Sequence, residues 1–116
     1  MGILMRNSEK VWSDIVDTIK LESLIYTFKG KASAKVLKVD EECITLGFYD
    51  KEIYKEAKVY KKDIDLAVKV LIEKGKGRQK DITTNKDSRY VLGVMKLLPY
   101  FEKTKEATTS YLVING

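Results

Sequence analysis

The stretch CITLGFYDKEIYKEAKVY, residues 43–60, decides the fold. Its first half carries apolar side chains at every second position: Ile44, Leu46 and Phe48. A polar turn, Asp50-Lys51-Glu52, follows, and the second half alternates again up to Tyr60. Alternation with a period of two, interrupted by a short polar turn, predicts antiparallel strands that have one face toward water.

Toward the N-terminus, residues 32–39 and 24–28 predict further strands, separated by the turn Lys29-Gly30-Lys31. A helix is predicted before them, because apolar side chains recur at the spacing of one helical face: Trp12, Ile15, Val16 and Ile19. Asn7 and Ser8 are suitable N-caps for this helix. We therefore expect an N-terminal helix, then a meander of three to four strands whose apolar face is covered by helices.

After Tyr60 the period becomes helical. We expect a helix from Asp63 to Lys74 with Ile64, Ala67, Val68, Leu71 and Ile72 on its apolar side, stopped by Gly75, and a short helix near 79–83. A third helix is predicted to begin at Asp87 or Ser88 and to end at Pro99; its apolar positions are Val91, Val94, Met95 and Leu98. Gly93 inside this helix costs about 1 kcal/mol relative to Ala, so it indicates either a closely approaching neighbour helix or a tolerated imperfection.

These patterns predict one α+β domain over residues 1–116. It comprises the helix and antiparallel sheet within 8–60, a helical triplet within 61–99 and a tail strand within 108–115 that adds to an edge of the sheet. Residues 102–109 are polar and are expected to form a loop.

The composition excludes several kinds of chemistry. The chain has 116 residues, no His and one Cys. It therefore lacks the ligands of a Cys/His zinc site, the second cysteine that an internal disulfide needs and the histidine of a His-dependent catalytic triad. We predict no catalytic residue, no metal and no cofactor. No apolar run approaches the ~20 residues that span a bilayer, so we expect a cytoplasmic protein without a membrane partner.

Positive charge is concentrated in one region. The net charge is +5, and residues 51–89 alone carry twelve basic and seven acidic side chains. Four of the cations fall within residues 74–80, beside two glycines. Lys and Arg displace counterions condensed on nucleic acid, so this region predicts contacts with phosphates.

Residues 61–99 resemble the helix-turn-helix arrangement of winged-helix and related DNA-binding families in the order and length of their elements. The resemblance implies that the third helix enters the major groove and presents Arg89, Gly93 and Lys96, with Arg89 reading a guanine edge. It also implies that the final strand supplies part of a wing. We expect a non-enzymatic nucleic-acid-binding protein, with DNA favoured over RNA, and these binding residues: Lys74, Lys76, Arg78, Lys80, Lys86, Arg89 and Lys96.

Three alternatives stay open. The basic face could bind an acidic protein partner or a second copy of the chain. Tyr54, Tyr60 and Lys58, with Tyr49 nearby, could stack unpaired bases on the polar face of the sheet. Glu56-Ala57-Lys58, together with Asp40 or Asp50, resembles the Asp…Glu-x-Lys pattern of metal-dependent nucleases, which implies Mg²⁺ held by the two carboxylates.

Overall fold

The computed structural model describes residues 8–82 and 88–114. The helices are α1 (Ser8–Thr18), α2 (Lys61–Lys74) and α3 (Ser88–Met95), with a 3-10 turn at Gln79–Ile82. The strands are β1 (Leu24–Tyr26), β2 (Ser33–Val39), β3 (Cys43–Asp50), β4 (Ile53–Tyr60), β5 (Lys76–Gly77), β6 (Phe101–Glu106) and β7 (Thr109–Ile114). The α+β class, the N-terminal helix and the antiparallel meander are confirmed.

The first sheet has the order β1-β2-β3-β4, with every neighbouring pair antiparallel. Val36, Leu46 and Ala57 lie side by side across three strands and are fully buried. They belong to a cluster of buried side chains that extends from Val11 in α1 to Leu112 in β7. The helices therefore cover one face of this sheet, as the alternation predicts.

Helix α2 begins two residues before the predicted start. Tyr60 is its N-cap, and the Asp63 carboxylate accepts a hydrogen bond from the Tyr60 backbone N–H at 3.3 Å. Asp63 therefore belongs to the first turn and is not the cap. Gly75 ends the helix in the left-handed conformation, as predicted. Val70 is buried and Ile72 is exposed, so the apolar face is rotated from the predicted one.

A second sheet, with the order β5-β7-β6, corrects the prediction for the tail. The tail strand β7 pairs with β5 and β6 and does not extend the meander. Residues 101–106, most of which were expected to be loop, form strand β6. Glu102, Thr104 and Glu106 alternate along it with Lys103 and Lys105, which is a strand pattern without apolar residues.

Helix α3 packs directly on the end of β1. It ends at Met95, earlier than predicted, although Leu98 beyond it is still buried. The Phe28 backbone N–H donates a hydrogen bond to the Arg89 carbonyl at 3.0 Å. A Cβ atom on Gly93 would overlap the carbonyl oxygen of Tyr26. Gly93 thus marks a close approach, but the neighbour is a strand and not a helix.

Candidate nucleic-acid interface

Helix α3, the helix expected to read bases, is buried along most of its length. Residues 90–95 are all buried. The main chain of β1 lies against Gly93, in the middle of the face that Arg89 and Lys96 share with it. Packing of β1 at Gly93 opposes the prediction that this face enters a major groove.

Arg89, the predicted guanine reader, packs against aromatic rings of its own chain. Its guanidinium carbon lies 5.6 Å from the centre of the Phe48 ring and 5.1 Å from that of Tyr90. Hydrogen bonding and charge from Lys55 lower the pKa of Asp50, and the charge of Arg89 lowers it further. Arg89 is therefore engaged beside Phe48 and Asp50.

Two further predicted cations, Lys74 and Lys76, lie at the C-terminal end of α2 and in β5. Lys76 Nζ is 2.9 Å from the carboxylate of Glu106 and 4.4 Å from the centre of the Tyr111 ring. The hydrogen bond from Lys76 to Glu106 raises the pKa of Lys76, so this cation is already paired. Lys74 is exposed at the end of α2. The predicted Lys86 lies outside the described residues.

Arg78 and Lys80 line a cleft of about 370 Å³ that we call the basic cleft. One wall is the loop between β1 and β2, with Phe28 and Lys29. The second wall is residues 78–80, and the third is the tip of the β6–β7 hairpin, residues 108–110. Three segments distant in sequence therefore meet around one concave surface.

The wall that carries Lys29 is a tight turn fixed by Thr27. The Thr27 backbone N–H donates to the Ala32 carbonyl at 2.9 Å, and the Thr27 hydroxyl oxygen accepts from the Ala32 N–H at 3.4 Å. Gly30 has a φ of +78°, which an L side chain adopts only with strain, and its N–H donates to the Thr27 carbonyl at 2.8 Å. This turn holds Lys29 at the mouth of the cleft.

The second wall is fixed by Asp81. Its carboxylate accepts hydrogen bonds from the Arg78 backbone N–H at 3.2 Å and from Arg78 Nε at 3.4 Å. Burial raises the pKa of Asp81. The hydrogen bonds from Arg78 and the positive charges of Arg78 and Lys74 lower it by more, so the pKa lies below its ordinary value. Asp81 thus orients Arg78 and remains ionised.

Lysines from the second sheet extend the positive surface. Burial lowers the pKa of Lys103, and the charges of Lys96, Lys105 and Lys29 lower it further. Lys103 Nζ also lies 5.4 Å from the centre of the Phe28 ring. Within the described residues, no carboxylate oxygen lies within 4.0 Å of the amine of Lys29, Lys80, Lys96, Lys103 or Lys105. The charges of Lys29, Lys96 and Lys105 therefore act against that of Lys103, which has no carboxylate partner in the part of the chain that the structure describes.

The sequence predictions missed Lys29, Lys103 and Lys105. In strand β6, Lys103 is paired with the buried Leu112, and Lys105 is paired with Ser110 of the cleft. Glu102 and Glu106 lie on the opposite face of the strand. The order of acidic and basic residues in 102–106 could have indicated this arrangement, because alternate residues of a strand lie on opposite faces.

The nuclease pattern does not assemble in the described residues. Register pairs Tyr49 with Tyr54, so Glu56 shares the face of Tyr49, whereas Asp50 lies on the other face. Asp40 is bound locally, because its carboxylate accepts the backbone N–H groups of Glu42 and Cys43 at 2.9 Å each. No group of three or more Asp, Glu, Cys or His side chains in ranges 8–82 and 88–114 is arranged to hold a metal ion.

No protein family model, curated protein or solved structure matches this chain. None of the helices in the described ranges has the length and apolarity required to cross a bilayer.

Proposed function

We propose that this protein is a non-enzymatic nucleic-acid-binding protein that contacts phosphates through the basic cleft. The observation that carries the proposal is the convergence of cations from separate segments: Lys29, Arg78, Lys80, Lys96, Lys103 and Lys105. Bringing like charges together opposes folding, and a polyanion relieves this repulsion while releasing its own counterions.

The second sheet supports a winged-helix-like mode that depends on the hairpin. Strand β7 lies between β5 and β6. The β6–β7 hairpin therefore follows the helices in the same position as the wing of winged-helix proteins. The helix that would read bases is covered by β1, so binding proceeds through phosphates and is largely independent of sequence. DNA is the favoured ligand and the cytoplasm the favoured location within this proposal.

Fluorescence anisotropy with a labelled DNA duplex of arbitrary sequence tests the proposal. Between ~50 and ~200 mM salt, log K should fall linearly with log salt, by about 0.9 for each phosphate neutralised. The triple variant K29Q/K80Q/K105Q removes two cations of the cleft and one of the adjoining strand β6, and it spares the Arg78–Asp81 contact. We expect its slope to be shallower by about 2.7 than that of the unmodified protein.

A matched control is K20Q/K62Q/K69Q, which changes the net charge equally at exposed positions outside the cleft. It should retain the slope of the unmodified protein. Equal loss in both triple variants would show a general effect of net charge and would contradict the proposal. Competition by polyglutamate that exceeds competition by DNA at equal charge would instead favour an acidic protein partner.

A further inference from the structure

The face of the first sheet opposite the helices carries exposed aromatic and aliphatic side chains. The exposed fractions are 53% for Tyr26, 74% for Tyr49 and 48% for Tyr54. Leu24 and Leu37 are exposed on the same sheet. Large rings left in water on a flat surface mark a place where something binds.

The tyrosines share one face of the sheet. Tyr49 is paired with Tyr54, and Tyr26 is paired with Ser33. The pairing of β2 with β3 begins at Lys35 and Gly47. Because residues two apart in a strand lie on the same face, Ser33 shares the face of Lys35, and Tyr49 shares that of Gly47. Tyr26, Tyr49 and Tyr54 therefore all stand on this face.

Gly47 flattens the floor of this face. A Cβ atom there would lie 2.7 Å from the Leu37 Cδ1 and 2.7 Å from the Tyr54 hydroxyl, so only glycine lets both side chains lie across the strand. The Tyr54 hydroxyl donates to Glu56 at 3.0 Å, and the Tyr49 and Tyr54 rings meet edge to face at 5.5 Å. Tyr49 and Tyr54 are therefore held in place by contacts within the protein.

Cations lie beside the tyrosines on the same face. Lys35 is paired across the sheet with Gly47, and both Lys38 and Lys58 are paired with Thr45, so the three lysines share the face of Tyr49. Two carboxylates lie near them: Glu56 is paired with Gly47, and Glu22 lies 3.8 Å from Lys35 Nζ. A strand of bases and phosphates complements both the rings and the surplus of positive charge.

We propose that this open sheet face binds an unpaired segment of nucleic acid, with bases stacked on Tyr26 and Tyr49 and phosphates near Lys35 and Lys38. The inference rests on the proposed function and names its ligand more closely. Tyr26 is three residues from Lys29 of the basic cleft, a reach of about 10 Å. A strand that leaves the cleft can therefore continue onto the sheet.

The test compares binding of labelled dT12 with binding of an abasic twelve-mer that keeps the phosphates and lacks the bases. The unmodified protein should bind dT12 at least tenfold more tightly, because stacking of each base on an aromatic side chain is worth about that factor. Y26L/Y49L should lose this preference, and Y49F should keep it. The control Y111L, on the second sheet, should behave as the unmodified protein.

The outcomes separate the two proposals. Unchanged duplex binding by Y26L/Y49L, with loss of the dT12 preference, supports the sheet as a platform for unpaired bases. Equal binding of dT12 and the abasic strand by the unmodified protein overturns this inference even if the cleft variant loses duplex binding. A dimer in sedimentation velocity that Y49L dissociates also overturns it, since the face would then be a self-association surface.

Discussion

Gly93→Ala tests whether β1 covers the helix that was expected to read bases. A Cβ atom at this position overlaps the Tyr26 carbonyl oxygen and lies 3.3 Å from the Tyr26 carbonyl carbon, whereas real Cβ atoms stay at least 3.0 Å from other heavy atoms. Both sides of the contact are main chain, so no flexible side chain can move aside. Helix or strand must shift, which strains the hydrogen bond from the Phe28 N–H to the Arg89 carbonyl.

The magnitude follows from two opposed effects. Ala stabilises a helix by about 1 kcal/mol relative to Gly. Overpacking against a fixed backbone costs about 1–3 kcal/mol or more, and at this contact we expect the upper end. The free energy of unfolding should therefore fall by about 2 kcal/mol.

Urea unfolding followed by circular dichroism measures this change. Gly77→Ala is a suitable control, because a Cβ atom there makes only ordinary contacts of 3.4 Å with Val70 and Leu71. We expect its midpoint to change little. A Gly93→Ala protein as stable as the unmodified protein, or more stable, would refute the packing of β1 on α3. The face of α3 that carries Gly93 would then be free to enter a major groove.

The remaining predictions concern the elements around the cleft. Lys103→Met should raise the melting temperature at neutral pH, because burial and the charges of Lys96, Lys105 and Lys29 lower the pKa of Lys103, so its charge opposes folding below that pKa. Added salt should reduce this gain in part, since it screens the neighbouring charges and leaves the cost of burial; a gain that salt does not change would contradict the clustering of charge. Gly30→Ala should cost about 1–2 kcal/mol through its positive φ alone, since a Cβ atom meets open space there; a neutral result in urea unfolding would argue against this turn. Tyr100→Phe removes a 2.7 Å hydrogen bond to Asp14 and should cost about 1 kcal/mol at neutral pH. Because that bond lowers the pKa of Asp14, the cost should shrink as the pH falls below the ordinary value of 3.8; a cost unchanged between pH 7 and 2 would refute it.

Local periodicity predicted the elements that have a clear apolar face. The alternation in residues 43–60 and the helical spacing from Trp12 to Ile19 each specify which side is buried, and the structure matches them except at the strand ends and at Thr45: Ile53 is exposed, and Thr45 is buried on the polar face. The role of Gly75 was equally predictable, since a glycine after an amphipathic segment commonly ends the helix in the left-handed conformation. In these places sequence and packing select the same conformation.

Local patterns of this kind do not predict contacts between segments that are distant in sequence. Strand β6 carries no apolar alternation after Phe101, and β5 is two residues long, so neither shows the usual signal of a strand. Their pairing depends on β7, more than thirty residues from β5 in the chain. The basic cleft was missed for the same reason, because Lys29 and Lys80 meet only after folding.

The sequence of α3 also indicates that this helix is buried. Residues 90–95 read YVLGVM, a helical segment without a charged residue on any side. A helix that is apolar all round is a buried helix. A helix that reads bases needs a polar face, so this composition already argued against insertion into a groove, and only its resemblance in element order suggested otherwise.

Mapping by NMR shows directly whether the basic cleft binds DNA: a short duplex is titrated into the ¹⁵N-labelled protein at low salt. We predict that amide shifts change most at the three walls of the cleft, residues 27–32, 78–80 and 108–110, and that residues 90–95 change little. Shifts concentrated on α3, or at Lys74 and Lys76 with the cleft unaffected, would contradict this prediction.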